Sequence, residues 1–358
     1  MARASSLVSR SRARISWHGF RFVMAVKLAW PLRIWQSAKV EIFMAANHFP
    51  VLLDSVNETG EESHDWLKLS APAKVNLMLS VHGRRPDGFH ELTSLVAALE
   101  FGDELEIRRN GREQDTLLSE GEDVPQDDTN LVLQAARLFR RECAHEQYFD
   151  FRLNKQIPVG AGLGGGSSDA VAALKGMNAL LETGFSREKI REMASTLGSD
   201  CPFFVDATPS LMRGRGEVLE PIDPYLFNRL AGQRLVLFRP DFGINTAWAY
   251  GRLASMPELY EGHAIAETRL REFSRRGNWD DMLANVFEEI VGEKFLAIPS
   301  LLEILGKRGY KCMMSGSGSA CFALVDGKEQ ALEIKEVCQE CWGPNIFWVE
   351  TSLTEQKM

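Results

Sequence analysis

Five of the seven residues from Gly160 to Gly166 are glycine, and Ser167, Ser168 and an apolar-periodic segment follow them. The run Pro158, Val159, Gly160, Ala161, Gly162, Leu163, Gly164, Gly165, Gly166 thus brings bare backbone to the mouth of a helix expected over about 168–183. The first N–H groups of a helix have no partner inside it. The helix dipole adds positive potential at that end, and glycines let an anion approach without interference from Cβ. The chemistry that fits is anion binding, and the stretch suits a triphosphate. Ser167 and Ser168 can donate hydroxyls, with Ser168 the candidate contact to a phosphate-bound metal. A plain flexible loop with a serine cap rarely needs so many glycines.

Two other phosphate-binding patterns fail on context. Gly160, Gly162 and Gly165 satisfy G-x-G-x-x-G, but a dinucleotide fold needs a strand ending in an acid straight after the helix. Here a second helix follows, over about 186–197, with Ser186 as its expected cap. A P-loop needs Gly-Lys-Ser/Thr, and no lysine follows Gly165 or Gly166. Asp200 lies in the loop "GSDCPFFV" past that second helix. On spacing alone, a turn or capping aspartate is the ordinary use of such a residue. Lys74 is a lone charge in a strand-like apolar run and should point to a partner, or to solvent if the strand lies at an edge.

The elements that must position these residues alternate in kind. Residues 66–83 read as strand with a break at Pro72, "DELEIRR" as a short strand and "NLVLQAARLFRREC" as a helix. "YFDFRLN" reads as the strand before the glycine loop. A boundary falls near Pro221–Arg229. Beyond it come the strand "QRLVLFRP", several helices over about 246–306, and two strands around the glycine-serine turn of "YKCMMSGSGSACFALV". A helix near 328–340 and the strand "IFWVETS" close the chain. Strands and helices interleave in both halves, so the class is α/β or α+β.

The chain has 358 residues and a net charge of −8, enough for two domains. Residues 1–40 hold eight Lys/Arg and no acid, which leaves the remainder at −16. That acidic body argues against a nucleic-acid partner. The basic start has the composition of a transit peptide, of a membrane-surface segment, or of a tail read from an upstream start codon. Its apolar run is broken by Lys27, Pro31 and Arg33, so no spanning helix is expected. Of six cysteines only Cys338 and Cys341 form a C-x-x-C, with no second pair to make a zinc site. Reduced thiols in a cytoplasmic protein are expected. A plastid location is the alternative if the tail is a transit peptide.

"PVGAGLGGGSSDA" resembles the phosphate-binding motif of the GHMP small-molecule kinases. "APAKVNLML" at 71–79 and "MMSGSGSACFAL" at 313–324 are similar to that superfamily's first and third motifs. "RRPDGFHEL" and "GSDCPFF" are similar to the branch that acts on a cytidine-diphosphate-bearing sugar alcohol, from about Leu67 to about Thr351. The resemblance implies an α+β, two-domain GHMP kinase fold. A ribosomal protein S5 domain 2-like N-terminal domain (66–225) would pack on a ferredoxin-like C-terminal domain (226–358), after a disordered tail and linker (1–65). It implies ATP, with Mg2+, phosphorylating the 2-hydroxyl of 4-(cytidine 5′-diphospho)-2-C-methyl-D-erythritol in the non-mevalonate isoprenoid pathway. Homoserine- or mevalonate-type kinases and a non-catalytic nucleotide-binding paralogue are the alternatives. It further implies a monomer or homodimer with no nucleic-acid or membrane partner.

The resemblance also assigns roles. Asp200 matches the catalytic aspartate, which deprotonates or orients the hydroxyl. Lys74 matches the catalytic lysine, which would keep that carboxylate ionised. Phe89 and His90 match a Tyr-His pair that binds cytosine; phenylalanine keeps the stacking surface and loses the hydroxyl. Asn76 matches a substrate-site asparagine, and Asn130 and Lys155 match positions near the nucleotide, although Asn130 could equally cap a helix. Asp169 stands where asparagine is common in this motif, and an acid there is expected to face away from phosphate.

Overall fold

The computed structural model describes residues 66–355; the expectations for residues 1–65 fall outside them. Strand β1 (Leu67–Arg84) runs unbroken past Pro72, because a register shift between Pro72 and Lys74 takes up the missing donor as a bulge. The expected break is therefore a kink inside one 18-residue strand. Strand β2 (His90–Asn110) pairs antiparallel with it along most of its length, and "DELEIRR" is the end of this strand rather than a separate one. Strand β3 (Thr116–Gly121), helix α1 (Leu131–Cys143), strand β4 (Tyr148–Lys155) and helices α2 (Gly165–Leu181) and α3 (Arg187–Leu197) follow. Helix α2 starts three residues earlier than expected, with Gly164 as its cap in the left-handed region at φ 73°. A 3₁₀ turn (Cys201–Val205) leads to the hairpin β5 (Ser210–Gly214) and β6 (Val218–Pro221).

Helix α4 (Pro224–Leu230) occupies the boundary region of the sequence, capped by Asp223 and opened by proline. Then come β7 (Arg234–Arg239), α5 (Thr246–Ala254), α6 (His263–Arg276), α7 (Trp279–Met282), the two-residue β8 (Ala284–Asn285), α8 (Phe287–Gly292) and α9 (Ala297–Lys307). The hairpin strands β9 (Cys312–Met314) and β10 (Cys321–Leu324), α10 (Lys328–Trp342) and β11 (Phe347–Ser352) complete the chain.

The first sheet runs β3-β4-β2-β1-β8, with β5 on the leading half of β2 and β6 on β5. The second runs β11-β7-β10-β9, every pair antiparallel. With α10 between β10 and β11, and helices between β7 and β9, this is the ferredoxin-like order. The fold is the α+β arrangement expected.

Alternation along β1 and β2 divides the interior. Leu79, Val81, Val96 and Ala98 join α1, α2 and α3 in one core. Ala73, Val75, Leu77, Leu95 and Ala97 face a second core with α4, α6 and Leu235, Leu237 and Phe322 of the second sheet. Both faces of the β1–β2 pair are covered, so a charge on it must be paired.

Candidate active site

A cleft of about 940 Å³ opens where the glycine loop, β1, the 3₁₀ turn and α5 converge. Pro158 through Ser167 line it without a gap. The loop's shape is fixed from below: Lys74 N–H donates to the Leu163 carbonyl at 2.9 Å, and Ala320 N–H to the Ala161 carbonyl at 3.1 Å. Gly162, at φ 79°, lies so close to the third motif that a Cβ would fall 2.3 Å from the Ser315 carbonyl oxygen. At Gly164 a Cβ would fall 2.7 Å from the Phe204 ring. Glycine is thus demanded by contact as well as by conformation. Gly165, Gly166 and Ser167 form the first turn of α2, whose N–H groups have no intrahelical acceptor.

Lys74 is buried on β1 with its ammonium 2.6 Å from the Asn76 carboxamide oxygen and 3.5 Å from the Asp200 carboxylate. The solvent-facing edge reading fails because Lys74 is buried, with β2 on one side of its backbone and the Leu163 carbonyl of the glycine loop taking its N–H. Asn76 donates through Nδ2 to Ser94 Oγ at 2.8 Å, and Ser94 Oγ donates to the Met78 carbonyl at 2.6 Å. The chain of bonds turns the asparagine oxygen toward the lysine. Asp200 precedes the 3₁₀ turn and makes no side-chain capping bond; its side chain stays 42% exposed. The turn aspartate that spacing suggested is therefore a carboxylate presented to the cleft beside a buried cation. Next to it, burial pushes the Cys201 thiol up to about 11.

The far wall holds Phe89 and His90. Phe89 is 48% exposed, with the Arg215 guanidinium 4.8 Å from its ring centroid. His90 is buried, lies 3.2 Å from the Tyr260 hydroxyl and packs 5.3 Å from the Tyr250 ring. Burial, and then the Arg84 charge, hold its pKa below the usual histidine value, which favours the neutral ring, able both to donate and to accept.

The chain matches the GHMP kinases N terminal domain over residues 130–214 and GHMP kinases C terminal over 263–343. A 4-diphosphocytidyl-2-C-methyl-D-erythritol kinase of Methylacidiphilum infernorum is 36% identical over 295 residues, 79% of this chain and 95% of the relative. One of Pelotomaculum thermopropionicum is 38% identical over 268 residues, 74% and 91% of the two chains. The chain belongs to this kinase family. A crystal structure of a 4-(cytidine 5′-diphospho)-2C-methyl-D-erythritol kinase matches with a TM-score of 0.65 at 32% identity, covering 80% of this chain and 99% of that one. A homoserine kinase from Cytophaga hutchinsonii, with a TM-score of 0.62 at 18% identity over 83% and 98% of the two chains, shares the fold.

Not every residue singled out from the sequence faces the cleft of this 4-diphosphocytidyl-2-C-methyl-D-erythritol kinase family member. Ser168 is buried and absent from the cleft wall, with its hydroxyl atom enclosed and without a hydrogen-bond partner. The metal contact expected of it is corrected on that ground; Ser167 is the loop hydroxyl on the cleft. Asn130 lines the cleft and also caps α1, accepting from Val132 N–H at 2.9 Å. Lys155 borders the cleft, but its ammonium is held by Asp103 and Asp169 at 2.5 and 2.7 Å. Asp169 turns to that lysine, and burial pushes its carboxyl up to about 7.

Among the cleft residues that escaped the sequence reading are Arg215, Thr246, Tyr250 and Ser94. Arg215 sits between Gly214 and Gly216, both at positive φ, and the "GRG" spelling was a usable signal for a presented side chain. The other three lie in ordinary strand or helix text and carry no local mark.

Proposed function

We propose that this cleft transfers the γ-phosphoryl group of ATP to the 2-hydroxyl of 4-(cytidine 5′-diphospho)-2-C-methyl-D-erythritol. Membership in the GHMP kinases makes the chain a small-molecule kinase that uses ATP. The observation that carries the reading is the 3.5 Å approach of Lys74 to Asp200 within a cleft walled by the glycine loop. In this reading Gly160–Ser167 receive the phosphates on free N–H groups. Asp200 accepts the hydroxyl proton or orients the hydroxyl, and Lys74 holds charge at the point of transfer. Phe89 offers a face for the base and His90 a hydrogen bond to its edge.

Mg2+ fits as an ion brought by the nucleotide. Among the described residues no three His, Cys, Asp or Glu are grouped to hold a metal, which suits an ion held chiefly by phosphate and water. Ser167 and Asp200 are the oxygen donors of this chain that would meet it, and its contribution is to neutralise phosphate charge.

The proposed assembly is a monomer or homodimer. The reading of 66–225 and 226–358 as two domains follows the division of strands between the sheets, with β8 reaching back to β1. Among the described residues no helix is long and apolar enough to cross a membrane. The proposed setting is the cytoplasm; the plastid alternative rests on residues 1–65.

The test is ADP release with the cytidine substrate, homoserine and mevalonate in parallel. The cytidine compound should exceed both others by at least about 10³ in kcat/KM, because a site built around a base leaves polar groups unpaired without it. Preferred turnover of homoserine or mevalonate would overturn the reading.

A further inference from the structure

Lys155 and Asp169 bracket the glycine loop, one at the end of β4 and the other in the first turns of α2. Their side chains meet at 2.7 Å and are 3% and 4% exposed. Asp103 of β2 completes the group at 2.5 Å from the same ammonium and is fully buried. Its other oxygen accepts the N–H groups of Gln156 and Ile157 at 2.7 and 2.8 Å. The ammonium lies directly under the loop, since a Cβ on Gly165 would fall 2.7 Å from it.

A buried ion cluster is weak as a source of stability, because desolvation cancels most of its attraction. A cluster retained at the two ends of one loop is better explained by position. We propose that Asp103, Lys155 and Asp169 form a clasp that shuts the base of the phosphate loop and holds its N–H groups in the ATP-receiving shape. Lys155 is then a positioning residue rather than a ligand of the nucleotide, since two of its three N–H donors are spent on carboxylates. Of the two carboxylates, Asp103 also satisfies the chain entering the loop. The benefit to ATP is preorganisation: a loop already in its bound shape loses less entropy on binding. This inference rests on the reading of the loop as the ATP site.

The experiment compares Asp169→Ala and Asp169→Asn with the parent in two readouts, ATP binding by calorimetry and amide hydrogen exchange over residues 160–167 without nucleotide. Asp169→Ala opens the clasp and should raise the Kd for ATP about tenfold and speed loop exchange by a similar factor. Asp169→Asn keeps an oxygen toward Lys155 and should return both to within about threefold of the parent. KM for the cytidine substrate should not move. If Lys155 instead binds phosphate, Asp169→Ala frees it and removes a nearby acid, so ATP would bind as tightly or more tightly; that result overturns the clasp.

The triple replacement Asp103→Asn, Lys155→Met and Asp169→Leu guards against misfolding, because it leaves no buried charge unpaired and the asparagine oxygen still accepts the two backbone bonds of Gln156 and Ile157. It too should loosen the loop and weaken ATP, and unchanged exchange would overturn the clasp. A parent that binds no ATP would sink the kinase reading, while the exchange data would still decide whether the clasp holds the loop.

Discussion

At the scale of single residues, the site is arranged so that one buried cation faces one exposed carboxylate. Lys74 is fixed by Asn76, which is fixed by Ser94. Asp200 is left free of capping duty. The wall that carries Phe89 is simpler. Phe89 offers one exposed ring with a guanidinium over it, so Phe89→Ala should raise KM for the cytidine substrate. Stacking is worth about 1–3 kcal/mol per base, or roughly 5- to 150-fold. Steady-state kinetics with each substrate varied checks this, and a shift in KM for ATP instead would mean that the two nucleotide positions are exchanged. The lone lysine in an apolar run was a legible sign of a paired charge. The freedom of Asp200 was not legible, because whether a loop aspartate caps its own turn depends on backbone angles that spacing does not encode.

At the scale of elements, the glycine loop and the third motif are one device. Gly162 touches Ser315, Ser315 Oγ lies 3.2 Å from the Asn76 N–H that donates to it, and Asn285 ties the Met314 and Gly316 carbonyls at 2.8 Å each. Gly162→Ala should therefore cost about 1–3 kcal/mol and also raise KM for ATP; thermal unfolding and kinetics that both match the parent would contradict the coupling.

Helix α8 adds a pH response. Glu288 accepts the Met314 N–H at 2.7 Å, and burial pushes its carboxyl up to about 7 from an ordinary 4.5. An acid whose pKa is raised by folding binds its proton more tightly in the native state. Stability then falls as pH rises from the unfolded value to the folded one, here between about 4.5 and 7. The loss is on the order of 3 kcal/mol. Glu288→Gln keeps the acceptor and should remove that part of the decline; melting curves from pH 4 to 8 with identical slopes in the two proteins would refute it.

The β2 strand was legible only in pieces, because Gly102 interrupts its pattern. That glycine is required by close approach, since a Cβ there would fall 2.5 Å from the Ala71 carbonyl oxygen. The caps of α1 and α3, Asn130 and Ser186, were readable because each is a local bond to the chain's own N–H groups.

At the scale of the whole molecule, the β1–β2 pair is shared by two cores and carries Lys74 and Asn76 between them. The cleft opens where elements far apart in sequence meet: the loop near 160, the turn near 200, α5 and the third motif. The ferredoxin-like order of the second sheet was expected from the family resemblance, whereas the order of strands and helices alone left α/β and α+β open. The partnership of β8 with β1 was not, because two residues carry no periodicity.

The most direct test compares the parent with Asp200→Asn, using ATP and the cytidine sugar alcohol, with the product examined by phosphorus NMR. The parent should place one phosphate on the 2-hydroxyl. Asp200→Asn should bind both substrates with kcat lowered by roughly 10²–10⁴. Near-parent turnover by a folded Asp200→Asn, or phosphate on a different hydroxyl, would contradict the account.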